Sequence, residues 1–132
     1  MSSFLETLAG YQIGNLPALA AIIGERLYPV EAPQDVALPF GVFTQISAAE
    51  HVTHGGKSGW GSMRVNYEFY DATFHEVVDA ARALRAEFEG RSVTLATGTQ
   101  SCWCAVESEY DEYDSGERIY RRSIDLLFEY SI

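Results

Sequence analysis

Apolar residues recur along the chain with two periods, one typical of helices and the other of strands. Over residues 4–11 the large apolar side chains return every three or four positions, which predicts a first helix ending near Gly14. A second short helix is expected to follow, with Asn15 as its cap and Pro17 in its first turn. Gly24 would end it.

The strongest helical pattern begins at Thr73. Thr73 and Glu76 have the spacing of a capping box, and a continuous apolar stripe runs from there to Gly90. The stripe consists of Phe74, Val77, Val78, Ala81, Leu84 and Phe88. This segment is predicted to be a long amphipathic helix that packs on a sheet.

Strand patterns occupy much of the remaining chain. Three prolines within residues 27–39 predict an irregular surface connection. Met63 and the alternate residues after it are apolar, whereas the residues between them are mostly polar. A tight turn is expected at residues 114–116, between two long strands that form a hairpin. The predicted strands are residues 40–47, 63–70, 93–95, 101–113 and 118–130.

This order of elements predicts one α+β domain over residues 1–132, a largely antiparallel four-stranded sheet with its helices packed on one face. The opposite face is left uncovered by the predicted helices. Alternation places on it a mixture of charged and aromatic side chains: Arg64, Asn66, Glu68, Tyr70, Trp103, Glu107 and Glu109. Such a mixture is typical of subunit interfaces and suggests that the protein forms oligomers.

Residues 51–61 contain four glycines and are predicted to be a long flexible loop between two strands. Its Gly-Gly-Lys-Ser run lacks the first glycine of a phosphate-binding loop and precedes a strand instead of a helix. His51 and His54 could hold a metal only if the loop became ordered, and His75 is remote in sequence. No metal site is therefore expected.

An acidic segment follows Val106, and its members are Glu107, Glu109, Asp111, Glu112 and Asp114. Paired carboxylates can act as general acid and base, but these crowd a strand end and a turn. Cross-strand pairing with Arg118, Arg121 and Arg122 accounts for much of the pattern. There is also no Gly-x-Ser-x-Gly elbow, so neither an enzymatic activity nor a cofactor is predicted.

Composition narrows the class further. The formal net charge of −10 argues against nucleic-acid binding, which depends on basic side chains. No apolar run is long enough to cross a bilayer and the start of the chain is not basic, so we expect no membrane contact and a protein made and kept in a cytoplasm. Cys102 and Cys104 are expected to be reduced thiols on one face of a strand.

Three stretches resemble the small tail-completion or tail-terminator proteins of long-tailed bacteriophages. The first runs from Leu16 through the proline-rich segment to Phe40. The second joins residues 64–70 to the helix at 73–90, and the third covers residues 120–130. Together they span most of the chain in a specific order.

The resemblance implies a structural virion protein that forms a homo-oligomeric ring, commonly a hexamer, at the head-proximal end of the tail. Such a ring caps the tail tube, ends its growth and offers a docking surface to the head connector, while DNA passes through without specific binding. Assembly would take place in the host cytoplasm. A head-side connector or stopper component is the first alternative, and a small enzyme or metal-binding domain is the second.

The candidate contact residues follow from these inferences. The loop at 51–61 and the hairpin tip at 109–117 are expected to project from the body and touch neighbouring subunits, the tube or the connector. Expected at a subunit or tube interface are His51, His54, Lys57, Trp60, Arg64, Glu68, Tyr70 and Trp103. Expected to face the connector or the channel are Glu107, Glu109, Asp111, Glu112 and Asp114.

Overall fold

A computed structural model describes residues 4–53, 56–95 and 101–131, with the backbone alone at positions 13, 52, 53 and 56–58. The helices are α1 Phe4–Asn15, α2 Pro17–Ile23 and α3 Phe74–Phe88. The strands are β1 Leu27–Pro29, β2 Phe40–Thr53, β3 Gly56–Asp71, β4 Ser92–Thr94, β5 Ser101–Asp114 and β6 Ile119–Ser131. The fold is α+β, as expected from the order of elements.

The strands form one sheet in the order β1-β2-β3-β6-β5-β4. Among the strands of the described residues, β1 lies parallel to its neighbour and the other pairs are antiparallel. The sheet thus has six strands instead of the four predicted. The short strand predicted at 93–95 is β4 at one edge of the sheet, whereas β1 at the other edge was missed, because it is three residues long and lies in the proline-rich segment. Strands this short leave almost no periodic signal in a sequence.

The core lies between the helices and one face of the sheet. Along β3, every second side chain from Met63 to Phe69 is buried, as the alternation predicts. Val77, Leu84 and Phe88 of α3 are buried within the same cluster. Burying one such side chain contributes roughly 1.5–3 kcal/mol, so this continuous layer dominates the stability of the domain.

The ends of the helices differ in part from the predictions. Thr73 is the residue before α3, as predicted, but its side chain makes no capping hydrogen bond. The buried apolar stripe therefore holds α3 in place. Asn15 is the last residue of α1 and its side-chain amide donates to the carbonyl of Tyr11, so Leu16 stands at the start of α2 instead. Pro17 opens α2 as expected.

The predicted glycine-rich loop is largely a hairpin. β2 continues to Thr53 and β3 starts at Gly56, with pairs such as Glu50 and Gly61 along the way. Glycine and histidine reduce strand propensity, but cross-strand bonding in a long ladder overrides that preference. Gly61 has a packing role, since a Cβ added there would lie 2.8 Å from the Tyr130 ring.

The two thiols lie side by side on the covered face. Cys102 and Cys104 are free and buried, on the same side of β5. Burial raises the pKa of Cys102 to about 11 and that of Cys104 to about 12. Both groups therefore pack as small apolar side chains. Among the described residues, no helix combines the length and apolarity needed to cross a membrane.

Candidate assembly surface

The side of the sheet opposite the helices, here named the open face, is formed by the strand residues that point away from the core. Along β3, residues 64, 66, 68 and 70 are half-buried and alternate with buried neighbours. The register sets Asn66 opposite Asp125 on β6 and Trp103 of β5 opposite Glu129. The strand register and the exposure of the side chains place most of the residues predicted for this face on it, as expected. They are Arg64, Asn66, Glu68, Tyr70, Trp103 and Glu107.

Arginines link the strands across the open face. Arg64 of β3 lies 2.8 Å from the carboxylate of Glu107 on β5. Arg121 of β6 pairs with Glu68 of β3 at 3.1 Å and with Glu112 of β5. Ion pairs that remain partly solvated contribute at most about 1 kcal/mol each. Their main effect is to hold charged side chains in defined positions on the face.

Hydrogen bonds from uncharged donors continue this network in the middle of the face. The amide of Asn66 donates to Ser123 at 2.8 Å and to the Asp125 carboxylate at 2.7 Å. The Ser108 hydroxyl donates to the second Asp125 oxygen at 2.9 Å. Asp125 thus bonds groups on both flanking strands. The open face is an ordered polar surface whose groups are largely satisfied within the chain.

One residue expected on the open face lies on the other side. The pairing of β5 with β6 shifts between Val106 and Ser108, which is a β-bulge. An extra residue at this point reverses the alternation after it. Glu109 therefore points to the helix side, where it pairs with Arg122 and lies 3.5 Å from Arg85 of α3.

The acidic residues of the β5–β6 hairpin are internally bonded. Asp111 lies 2.8 Å from Arg122, and Asp114 accepts backbone hydrogen bonds from Gly116 and Glu117 in the turn. The pair of Asp111 with Arg122 and those of Glu109 with Arg122 and Glu112 with Arg121 confirm the predicted cross-strand pairing with Arg121 and Arg122. Arg118 lies in the turn itself, with a φ of 57°. The acids therefore stabilise the shape of the hairpin.

Exposed aromatic side chains lie at the end of the open face that is opposite the β5–β6 turn. Trp60 stands opposite Ser131 and is 48% exposed, while Trp103 on the far side of β6 is 43% exposed. His51 reaches from β2 to Glu129, with 3.2 Å between Nε2 and the carboxylate oxygen. Exposed tryptophans on a rigid sheet are typical of contact surfaces. We name Trp60, Trp103, His51 and Glu129 the tryptophan end.

Two predicted contact residues lie outside this description: His54 and the side chain of Lys57. The β2–β3 hairpin nevertheless projects, because β3 starts at Gly56 whereas its pairing with β6 starts at Trp60. The β5–β6 hairpin also extends past β3, since Asp71 pairs with Tyr120 and the turn lies beyond it. The two hairpins therefore extend past opposite ends of the sheet.

A mostly apolar cleft lies away from these residues. It has a volume of about 540 Å³ between α1, α2 and the β1 edge, with Leu16, Leu19 and Phe43 among its lining residues. Gln12 also lines the cleft, and its side chain accepts a hydrogen bond from the buried Tyr67 hydroxyl at 2.6 Å. Burial raises the pKa of Tyr67 well above its ordinary value. Within the described part of the chain, no three His, Cys, Asp or Glu side chains converge to form a metal site.

An α+β domain with a polar, ordered open face and projecting hairpins has the features of a structural assembly protein. The sequence matches the family described as Tail completion protein gp17 over residues 13–130. The chain therefore belongs to this family of phage tail proteins, which are structural components of the virion tail.

The fold is also similar to that of a solved structure. A chain of the virion of a native gene transfer agent particle matches with a TM-score of 0.74 and 16% sequence identity, and the match covers 100% of both chains. At this identity the similarity concerns the fold. No curated protein matches the sequence.

Proposed function

We propose that copies of this protein form a ring on the last ring of the tail tube, which ends tail growth and provides the docking surface for the head connector. Membership of the tail completion family over residues 13–130 carries the proposal. The ring is a homo-oligomer, with six subunits as the expected number. In this role the protein acts through its surfaces and neither makes nor breaks a covalent bond.

The tryptophan end supports a docking role. Trp60 and Trp103 offer exposed aromatic area on a sheet whose backbone is already bonded, so little conformational entropy is lost when a partner covers them. We assign the tube or subunit contact to His51, Trp60 and Trp103, extended by the projecting β2–β3 hairpin. Arg64, Glu68 and Tyr70 would border this contact on the open face.

The net charge fits a channel that DNA passes without binding. With a formal charge of −10, acidic side chains outnumber basic ones, and Arg64, Arg121 and Arg122 already pair with carboxylates of the same chain. Few basic side chains are therefore available to hold phosphates. The acidic hairpin would face the connector or the channel. In that position its carboxylates would repel the DNA backbone.

The proposal is tested with particles that lack this protein. Electron microscopy is expected to show overlong or uncapped tails beside filled heads, and adding the purified protein to isolated tail tubes is expected to cap them. Normal tails beside heads that have lost their DNA would instead assign the protein to the head side. Normal, infectious particles would contradict both positions.

Variants of the tryptophan end sharpen the test. Replacing Trp60 and Trp103 together by alanine should weaken tube binding at least tenfold, because central aromatic residues of an interface contribute about 2 kcal/mol or more. The matched control is Phe74→Ala, an aromatic side chain at the start of α3 that is 43% exposed, like Trp103. Equal binding by the tryptophan variant and wild type would exclude this end as the contact.

A further inference from the structure

Both outer strands of the sheet have partly free edges. β1 pairs with β2 at residues 41–43, and β4 pairs with β5 at residues 101–103, followed by one bridge at Cys104. Among the described residues, no strand pairs with the outer edge of β2 over 44–53 or with that of β5 over 105–114. These two stretches, which no described strand borders on the outer side, are each ten residues long. Such edges can bond a strand from another molecule.

The β2 edge lacks the usual protection against such pairing. Residues 44–49 are uncharged and contain no proline, and Ile46 is 51% exposed. Soluble proteins commonly place lysine, proline or inward-pointing charges on an edge strand that must not pair with another molecule. The β5 edge is acidic, but Glu107, Glu109 and Asp111 already pair with arginines of their own chain. Their charge is therefore a weaker barrier to an approaching uncharged strand.

The direction of the strands favours pairing between copies. β2, β3, β6 and β5 are successively antiparallel, so β2 and β5 run in opposite directions. A second copy, rotated about an axis along the strands, would bring its β5 antiparallel to β2 of the first. Because the contact joins two different edges, it repeats from copy to copy and closes into a ring when the rotation closes.

The short edge strands restrict the register of this pairing. Within one chain Thr44 is level with Ser108, through Asn66 and Asp125. Antiparallel pairing of residues 44–53 with residues 105–114 of the neighbour instead sets Thr44 opposite Asp114. Asp114 lies six residues after Ser108 along β5. Six residues along a strand correspond to roughly 20 Å, whereas the four long strands of one chain span roughly 19 Å across the sheet. In a closed ring this shift tilts the strands by about 45° from the ring axis, which is at the upper end of the strand tilt seen in closed sheets.

We propose that the free edge of β2 in one copy adds antiparallel to the free edge of β5 in the next, so that subunits share a continuous sheet. This inference rests on the proposed ring. It identifies the partner as a second copy of this chain and identifies the two edges that meet. β1 and β4 act as stops, since each covers the part of its edge that a neighbour must not occupy.

Engineered disulfides test the register. With Ile46 counted as the extra residue of the bulge in β2, Ala49 lies opposite Tyr110 of the neighbour, and both side chains are exposed. Within one chain β3 and β6 lie between these positions and Ala49 is level with Trp103, so the two are more than roughly 14 Å apart, too far for a disulfide. Any bond in the Ala49→Cys, Tyr110→Cys variant therefore joins two chains.

Mild oxidation of this variant on tail tubes should give a ladder of covalent oligomers that ends at the ring size and collapses on reduction. The matched control combines Ala49→Cys with Ala21→Cys, an exposed position on α2, and should stay monomeric. A ladder from the control pair, or none from the edge pair on capped tubes, would overturn the proposal.

A charge variant separates this inference from the proposed function. Ser47→Asp with Ala49→Asp sets two acids against the acidic β5 edge, and Ser47→Asn with Ala49→Asn has nearly the same size without charge. We expect at least a tenfold loss of tube capping for the aspartate variant only, at an unchanged melting temperature. Failure of the wild type to cap tubes would contradict the proposed function. Normal capping by the aspartate variant would contradict the edge pairing alone.

Discussion

The two faces of the sheet are built from alternate residues of the same strands, yet they are stabilised in different ways. On the covered face Phe128 is fully buried and packs edge-on against Phe88 of α3. On the open face the adjacent Leu127 is half-buried, and Asp125 bonds side chains of both neighbouring strands. The covered face thus determines stability, whereas the open face holds polar groups in position at small net free energy.

The largest difference in stability between the two faces should appear for variants of β6. Phe128→Ala removes an aromatic side chain from a closed core and should lower the free energy of unfolding by about 3–5 kcal/mol. Leu127→Ala, the matched control one residue earlier, should cost about 1 kcal/mol because its side chain keeps part of its solvent contact. Urea unfolding of both variants measures the difference. Equal losses would mean that the faces are not distinct energetically.

Alkaline pH should weaken the covered face next. The ordinary thiol pKa of 9.0 is raised to about 11 for Cys102 and about 12 for Cys104, so the unfolded chain releases these protons first. Stability is fully present below pH 9 and falls as the pH rises towards 11. At pH 10 the loss should be about 1.4 kcal/mol per thiol.

The double variant Cys102→Ala, Cys104→Ala isolates this contribution. Between pH 8 and pH 10 its free energy of unfolding should fall less than that of the wild type, because tyrosines titrate in both proteins and the thiols in only one. Parallel pH profiles would show that the thiols do not control this fall.

The polar network of the open face should show a smaller effect. Asp125→Ala leaves Asn66 and Ser108 without their shared acceptor and should cost about 1–2 kcal/mol in urea unfolding. The control Asp79→Ala removes a solvated pair with Arg82 on α3 and should change stability by less than about 0.5 kcal/mol. A loss above about 3 kcal/mol for Asp125→Ala would give this network the weight of a core contact.

The smallest effect on stability is expected at Trp103. Its side chain is 43% exposed, so Trp103→Ala should lower the free energy of unfolding by only about 1 kcal/mol. Thermal unfolding of the variant checks this value. A large fall in melting temperature would show that Trp103 supports the fold, and its exposure would then carry less weight as a sign of docking.

The sequence was most informative where a periodic pattern met a buried surface. The alternation from Met63 to Phe69 gave the two faces of β3 correctly, and the α3 stripe is buried from Val77 to Phe88 although Phe74 is 43% exposed, because burial of apolar area dominates those segments. The bulge after Val106 left no such signal, and Glu109 was assigned to the wrong face. A register shift depends on the partner strand, which a local pattern does not contain.

The same limit explains the β2–β3 hairpin. Gly55, Gly56, Gly59 and Gly61 favour a loop when considered alone, but the partner strand supplies the bonds that keep Gly56 and Gly61 in the ladder. At the candidate site, the sequence could place Trp103 and Arg64 on one face. It could not show that Arg64 meets Glu107, because that contact spans β6.

The bulge between Val106 and Ser108 also bears on how this chain varies among its relatives. Loss or gain of a single residue there exchanges inward and outward positions along the rest of β5, so changes in chain length at this point alter chemistry on both sides of the sheet at once. Homologous chains are therefore best aligned as two blocks, one before and one after Glu107. Where a relative lacks the extra residue, direct position-by-position comparison across that point would match solvent-facing residues with core ones.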